Sequence, residues 1–72
     1  MDDTTYMFTL TTKRHNADAA LHYWHTNQDL VILEGRGGGY AVTSLARSLL
    51  FPGPAWTQTS PEEIEAYLNN DQ

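Results

Sequence analysis

Apolar and polar positions alternate from Thr5 to Thr12, with Tyr6, Phe8 and Leu10 on one side and Thr9 and Thr11 on the other. The run is rich in strand-favouring types, so the pattern predicts a strand over Thr5 to Lys13 with one buried face. After Asn16 the period changes: Ala17, Ala20, Leu21 and Trp24 fall at i, i+3, i+4 and i+7, the stripe of an amphipathic helix. A helix over Asn16 to His25 follows, with Asn16 as its N-cap. A hairpin pairing Ala20 to Thr26 with Asp29 to Glu34 around Asn27-Gln28 is the competing reading.

Leu30-Val31-Ile32-Leu33 is apolar throughout and too short for a helix, which suits a strand over Asp29 to Glu34 buried on both faces at the centre of its sheet. Tyr40 to Thr43 reads as a second hairpin arm. Leu45, Ala46, Leu49 and Leu50 fit a short helix over Ser44 to Leu50 that Pro52 must end. Phe51-Pro52-Gly53-Pro54-Ala55-Trp56 follows as a stiff loop carrying two large aromatics. Ser60-Pro61-Glu62-Glu63 is the sharpest local signal, with a capping serine, proline at the first helical position and glutamate three residues after the cap. It starts a helix over Pro61 to Asn69 whose Ile64, Tyr67 and Leu68 face inward.

These elements predict an α+β fold: a small, mostly antiparallel three-stranded sheet with two to three helices packed on it. The relative direction of the first two strands stays open, because the interval between them is long enough for a crossover that would make them parallel. A chain of 72 residues is one small domain, in which a single core leaves only a few kcal/mol of net stability. Its ends, 1–3 and 70–72, are expected to fray. The absence of cysteine removes disulfides and thiolate metal sites, so packing, helped by a partner or by a homodimer, must supply the stability.

Charge narrows the functions further. Nine acids against four bases give a net charge of −5, which disfavours nonspecific contact with nucleic acid or anionic lipid. The start of the chain lacks the basic and apolar regions of a signal peptide, and no run reaches the roughly 18 apolar residues of a membrane span. A cytoplasmic, soluble protein is expected. All four bases (Lys13, Arg14, Arg36, Arg47) precede Ser48, whereas Glu62, Glu63, Glu65 and Asp71 follow it, so the C-terminal segment should present an acidic face.

Three constellations carry candidate chemistry. Gly35-Arg36-Gly37-Gly38-Gly39 holds four of the five glycines and follows the central apolar strand, an outline shared with phosphate-binding loops. The details diverge: Tyr40 stands where a dinucleotide fingerprint needs a small residue, and the Gly-Lys-Ser/Thr of a triphosphate loop is missing. A flexible reversal between two strands is the simpler reading, with anion or small-ligand binding by Arg36, Gly37, Gly38 and Gly39 as the alternative. A single Arg-Gly-Gly also lacks the repetition and basic background of nucleic-acid-binding tails. Asp18, His22 and His25 fall at i, i+4 and i+7, and with His15 they offer a zinc-ligand set on one side of a helix. Partly exposed histidines on a polar flank account for the same spacing.

The third constellation is a surface for protein contact. Tyr40, Phe51, Trp56 and Tyr67 lie in the C-terminal half, and prolines restrict the Phe51 to Trp56 loop, which lowers the entropy lost on docking. Catalysis has no set of residues to rest on: no cysteine nucleophile exists, and Ser44, Ser48 and Ser60 sit in helical or capping contexts. The expectation is a cofactor-free, non-enzymatic protein-binding module. It would be an inhibitor or regulator of the kind phages and mobile elements encode, using Phe51, Trp56, Glu62, Glu63 and Glu65 to occupy a basic surface on a larger partner.

Overall fold

The structure, a computed structural model, describes residues 5–70. Its elements in chain order are β1 (Tyr6–Phe8), α1 (Lys13–Thr26), β2 (Val31–Gly35), β3 (Tyr40–Thr43), α2 (Leu45–Ser48), β4 (Trp56–Thr59) and α3 (Pro61–Asn69). The strands form one sheet in the order β1-β3-β2-β4, and every neighbouring pair is antiparallel. The α+β class holds, with four strands where the sequence predicts three. β1 and β2 both run antiparallel to β3, which lies between them, so they are parallel to each other without being neighbours. No helix among the described residues is long and apolar enough to cross a membrane.

The strand register sorts the side chains into two faces. Tyr6 pairs with Val42, which pairs with Ile32, and Phe8 pairs with Tyr40; this face is covered by α1 and α3. Ala17, Ala20 and Leu21 of α1 and Ile64 of α3 meet Ile32, Tyr40 and Val42 there, with Tyr6, Phe8, Trp24, Leu30, Tyr67 and Leu68 packed around them. Tyr23 fixes the β1 end of this layer by stacking on Tyr6 at 4.3 Å and tilting against Phe8 at 5.4 Å. The opposite face presents Leu33, Ala41 and Thr43, all buried. α2 packs against β2, and the Trp56 ring lies over Gly35 on this second side. β3 is buried along its whole length, deeper than β2, the strand that the apolar run singles out as the core.

Local signals explain most element ends. Ser60 accepts the Glu63 N–H at 3.2 Å with Pro61 at the first turn of α3, as the capping motif predicts; the Glu63 carboxylate accepts a hydrogen bond from the Thr59 hydroxyl at 3.1 Å. Asn70, expected to fray, caps α3 by donating its N–H to the Tyr67 carbonyl; the other end residues, 1–3 and 71–72, with Asp71 of the acidic tail, lie outside the described residues. Ser44 caps α2, and α2 stops at Ser48, short of Leu50. From there single turns continue, with Leu50 N–H donating to Arg47 and Phe51 N–H to Ser48.

Three expectations are corrected. α1 begins at Lys13, because Thr12 rather than Asn16 caps it and accepts the His15 N–H at 3.3 Å; Asn16 is a buried residue inside the helix. β1 covers only Tyr6–Phe8 of the predicted strand, and Leu10, predicted to share the buried face of Tyr6 and Phe8, is 97% exposed because the chain bends at Leu10 and Thr11 to enter α1. Trp56 opens β4 instead of closing a loop: beyond the prolines, Trp56–Thr59 pairs with the second edge of β2.

Candidate functional site

The glycine run closes the β2–β3 hairpin. Gly35 N–H donates to the Gly39 carbonyl at 2.7 Å and Gly38 N–H to the Gly35 carbonyl at 3.1 Å. Gly38 alone among the described glycines has a positive φ, 97°, the left-handed position that follows the turn in a three-residue hairpin loop. The reversal is pinned from outside. Arg36 N–H donates to the Ala55 carbonyl at 2.9 Å, and the buried Asn16 amide reaches up from α1 to donate to the carbonyls of Gly38 (3.1 Å) and Thr11 (3.0 Å). Asn16 Oδ1 accepts from the Thr11 hydroxyl at 2.7 Å. The loop expected to be flexible is therefore tied to α1 and to the segment before β4.

Beside this hairpin lies an open cleft of about 460 Å³ lined by Lys13, Glu34, Arg36, Gly37, Gly38 and Thr57. Two bases at its walls fit the anion reading in outline. However, Lys13 Nζ is held 3.1 Å from Glu34 Oε2, which cancels one of them and adds a carboxylate to the wall. Arg36 is exposed. Lys13 also lies over the Tyr67 ring at 4.9 Å, and Arg14 donates to the Leu68 carbonyl, so these bases clamp α1 to α3. Tyr40, only 2% exposed, lies beneath; burial, reinforced by the Glu34 charge and then by Tyr67, pushes its phenol up to about 12, so it is neutral across ordinary pH.

The predicted contact residues separate into two groups. Glu62, Glu63 and Glu65 are exposed on α3, the helix that covers the first sheet face. Phe51 and Trp56 lie on the second face, ring against ring at 5.4 Å in an edge-to-face pair. Gly35 is the reason Trp56 can lie flat there: a Cβ at that position would meet the indole at 3.0 Å. Tyr40 and Tyr67, the other two aromatics of the predicted surface, belong to the core and its border.

Around Phe51 and Trp56 the structure assembles residues that the sequence pattern does not single out. Thr5 and Met7 of the β1 segment, Arg47, Leu50 and Pro52 join them to line a groove of about 410 Å³. Leu49 and Leu50 are 78% and 75% exposed, and Leu45 is 56% exposed on the same short segment. Among the described residues, Arg47 is the only charged residue in the groove lining and has no ion pair. The clue in the sequence is the leucines themselves: Leu45 lies in α2, and Leu49 and Leu50 follow it outside the core.

The histidines are spread over solvent. Asp18, His22 and His25 are exposed on α1, and His25 Nε2 lies 3.9 Å from Glu65 Oε2 across the α1–α3 contact. His15 Nδ1 is 3.2 Å from the Thr12 hydroxyl. Among the described residues no group of three or more His, Cys, Asp or Glu side chains is arranged to hold a metal ion. Comparison with protein-family models, with curated proteins and with solved structures finds no match for this chain.

Proposed function

We propose that this chain is a non-enzymatic protein-binding module, an inhibitor or regulator that docks on a larger partner through the groove formed by Met7, Leu50, Phe51 and Trp56. The observation that carries the reading is the leucine cluster beside it: Leu45, Leu49 and Leu50 stay in water although a small domain has every reason to bury them. Large apolar side chains next to a part-buried aromatic pair are the usual anchors of a protein interface. The net charge of −5 steers the encounter toward a partner whose overall surface is basic. Because Glu62, Glu63 and Glu65 lie on α3, away from the groove, they contribute to this long-range field and the groove supplies the anchors.

The test is capture from the native host with the full chain as bait. A protein retained by the wild type and lost by the double variant Leu49→Asp/Leu50→Asp supports the reading, provided that both baits melt at the same temperature. Equal retention by the two contradicts it. The triple reversal Glu62→Lys/Glu63→Lys/Glu65→Lys should slow association and weaken its salt dependence without abolishing the complex.

A second reading, an anion or small-ligand site, is supported by the cleft that Arg36 and Lys13 share and weakened by Glu34 in its wall. Phosphate and nucleotides should raise the melting temperature with concentration if that site exists. No shift at millimolar ligand removes it.

A further inference from the structure

The docking mode follows from the edge of the sheet. Among the described residues β1 pairs on one side only, with β3. Exposed edge strands normally carry a charge, a proline or a bulge that blocks further pairing. Thr5-Tyr6-Met7-Phe8-Thr9-Leu10 has no charge and no proline, and Leu10 at its end is almost fully exposed. The edge is flanked on both sides by apolar hollows. One is the groove under Leu50, Phe51 and Trp56; the other, of about 220 Å³, runs along Phe8, Leu10, His15 and Ala19 toward α1. Met7 lines both.

We propose that the free edge of β1 accepts an extended segment of the partner protein as a fifth strand, with successive apolar side chains pointing to opposite faces and seated in the two hollows, and a carboxylate meeting Arg47. Added strands gain affinity from main-chain hydrogen bonds and specificity from hollows that take alternate side chains. Charge complementarity favours the carboxylate, since Arg47 is the one charged group of the groove among the described residues and has no ion pair there. Among the described residues, a second copy of this chain would bring a β1 segment, Thr5 to Thr11, that carries no acid. This inference rests on the protein-binding reading and specifies how the partner is held.

The probe is a library of random dodecapeptides displayed on phage and selected against the folded full chain. The expected winners carry large apolar residues at successive positions, one for each face, and an aspartate or glutamate. As synthetic peptides they should shift and protect the amides of Thr5 to Thr9 in NMR spectra, and Arg47→Glu should weaken their binding by about tenfold or more. A peptide with its acid changed to arginine should recover binding to that variant. The proposal is overturned if no peptide is enriched, if the winners bind Arg47→Glu unchanged, if the amide changes fall away from β1, or if concentrated protein alone forms a dimer that protects those amides. If the peptides fail while Leu49→Asp/Leu50→Asp still abolishes partner capture, the strand mode falls and the protein-binding reading stands.

Discussion

Replacing Asn16 by alanine should destabilise the fold by about 2 kcal/mol. The side chain makes three short hydrogen bonds, at 2.7, 3.0 and 3.1 Å, to the Thr11 hydroxyl and to the carbonyls of Thr11 and Gly38. A fourth, longer bond comes from the Thr11 N–H at 3.4 Å. At roughly 0.5–1.5 kcal/mol net for each short bond, their loss costs about 1.5–4.5 kcal/mol. Alanine inside a helix returns up to about 0.7 kcal/mol in propensity. For a domain of this size, a loss near 2 kcal/mol lowers the melting temperature by roughly 8–16 °C. Thermal and urea unfolding followed by circular dichroism measure it. Asn16→Asp is the sharper control, because it keeps the size and the acceptors but turns an oxygen toward two carbonyls, so it should cost at least as much as alanine. If either variant loses less than about 0.5 kcal/mol, Asn16 does not hold the hairpin to α1.

Other outcomes follow from single positions. Gly38→Ala forces a side chain into a backbone with φ 97° and should cost about 1–2 kcal/mol, whereas Gly37→Ala, with open space around its Cβ, should change unfolding by less than about 1 kcal/mol in either direction. Tyr40 links stability to alkaline pH: its folded pKa of about 12 exceeds the ordinary phenol value of about 10, so the folded form holds its proton more tightly. That contribution is intact below pH 10 and is lost as pH rises from about 10 through 12, by about 1.4 kcal/mol per unit. Wild type and Tyr40→Phe should therefore diverge in melting temperature across that window, and parallel pH profiles would contradict the assignment. Ile64→Ala opens a cavity where α3 meets the sheet, at a side chain only 2% exposed. A cost of about 2–5 kcal/mol should leave the variant largely unfolded at 37 °C by near-ultraviolet dichroism.

What could be read in the sequence was what short-range physics decides. Tyr40–Thr43 and Pro61–Asn69 are found at their predicted bounds, one marked by strand-favouring residues after glycine and the other by a serine cap with proline behind it. The misses are non-local. Trp56-Thr57-Gln58-Thr59 has one apolar residue and follows two prolines, so nothing in it announces a strand; it pairs because β2 has a second edge to satisfy. Asn16 and Thr12 are both good caps by type, and the bonds of Asn16 to Thr11 and to the carbonyl of Gly38, 22 positions away, explain why Asn16 is drawn inside. For the candidate site, Phe51 and Trp56 were identifiable as aromatics in a restricted segment, but Met7 and Arg47 join them only through the sheet order. The separation of the acidic residues from the aromatics likewise depends on which face of the sheet each segment covers.

The most direct test of the account is amide chemical-shift mapping of the ¹⁵N-labelled full chain with the partner captured from the host. Perturbations concentrated at Thr5 to Leu10, Leu45 to Leu50 and Phe51 to Trp56 are the predicted result. Perturbations confined to Glu62 to Glu65 on α3, or to the Gly35 to Gly39 hairpin, would contradict it.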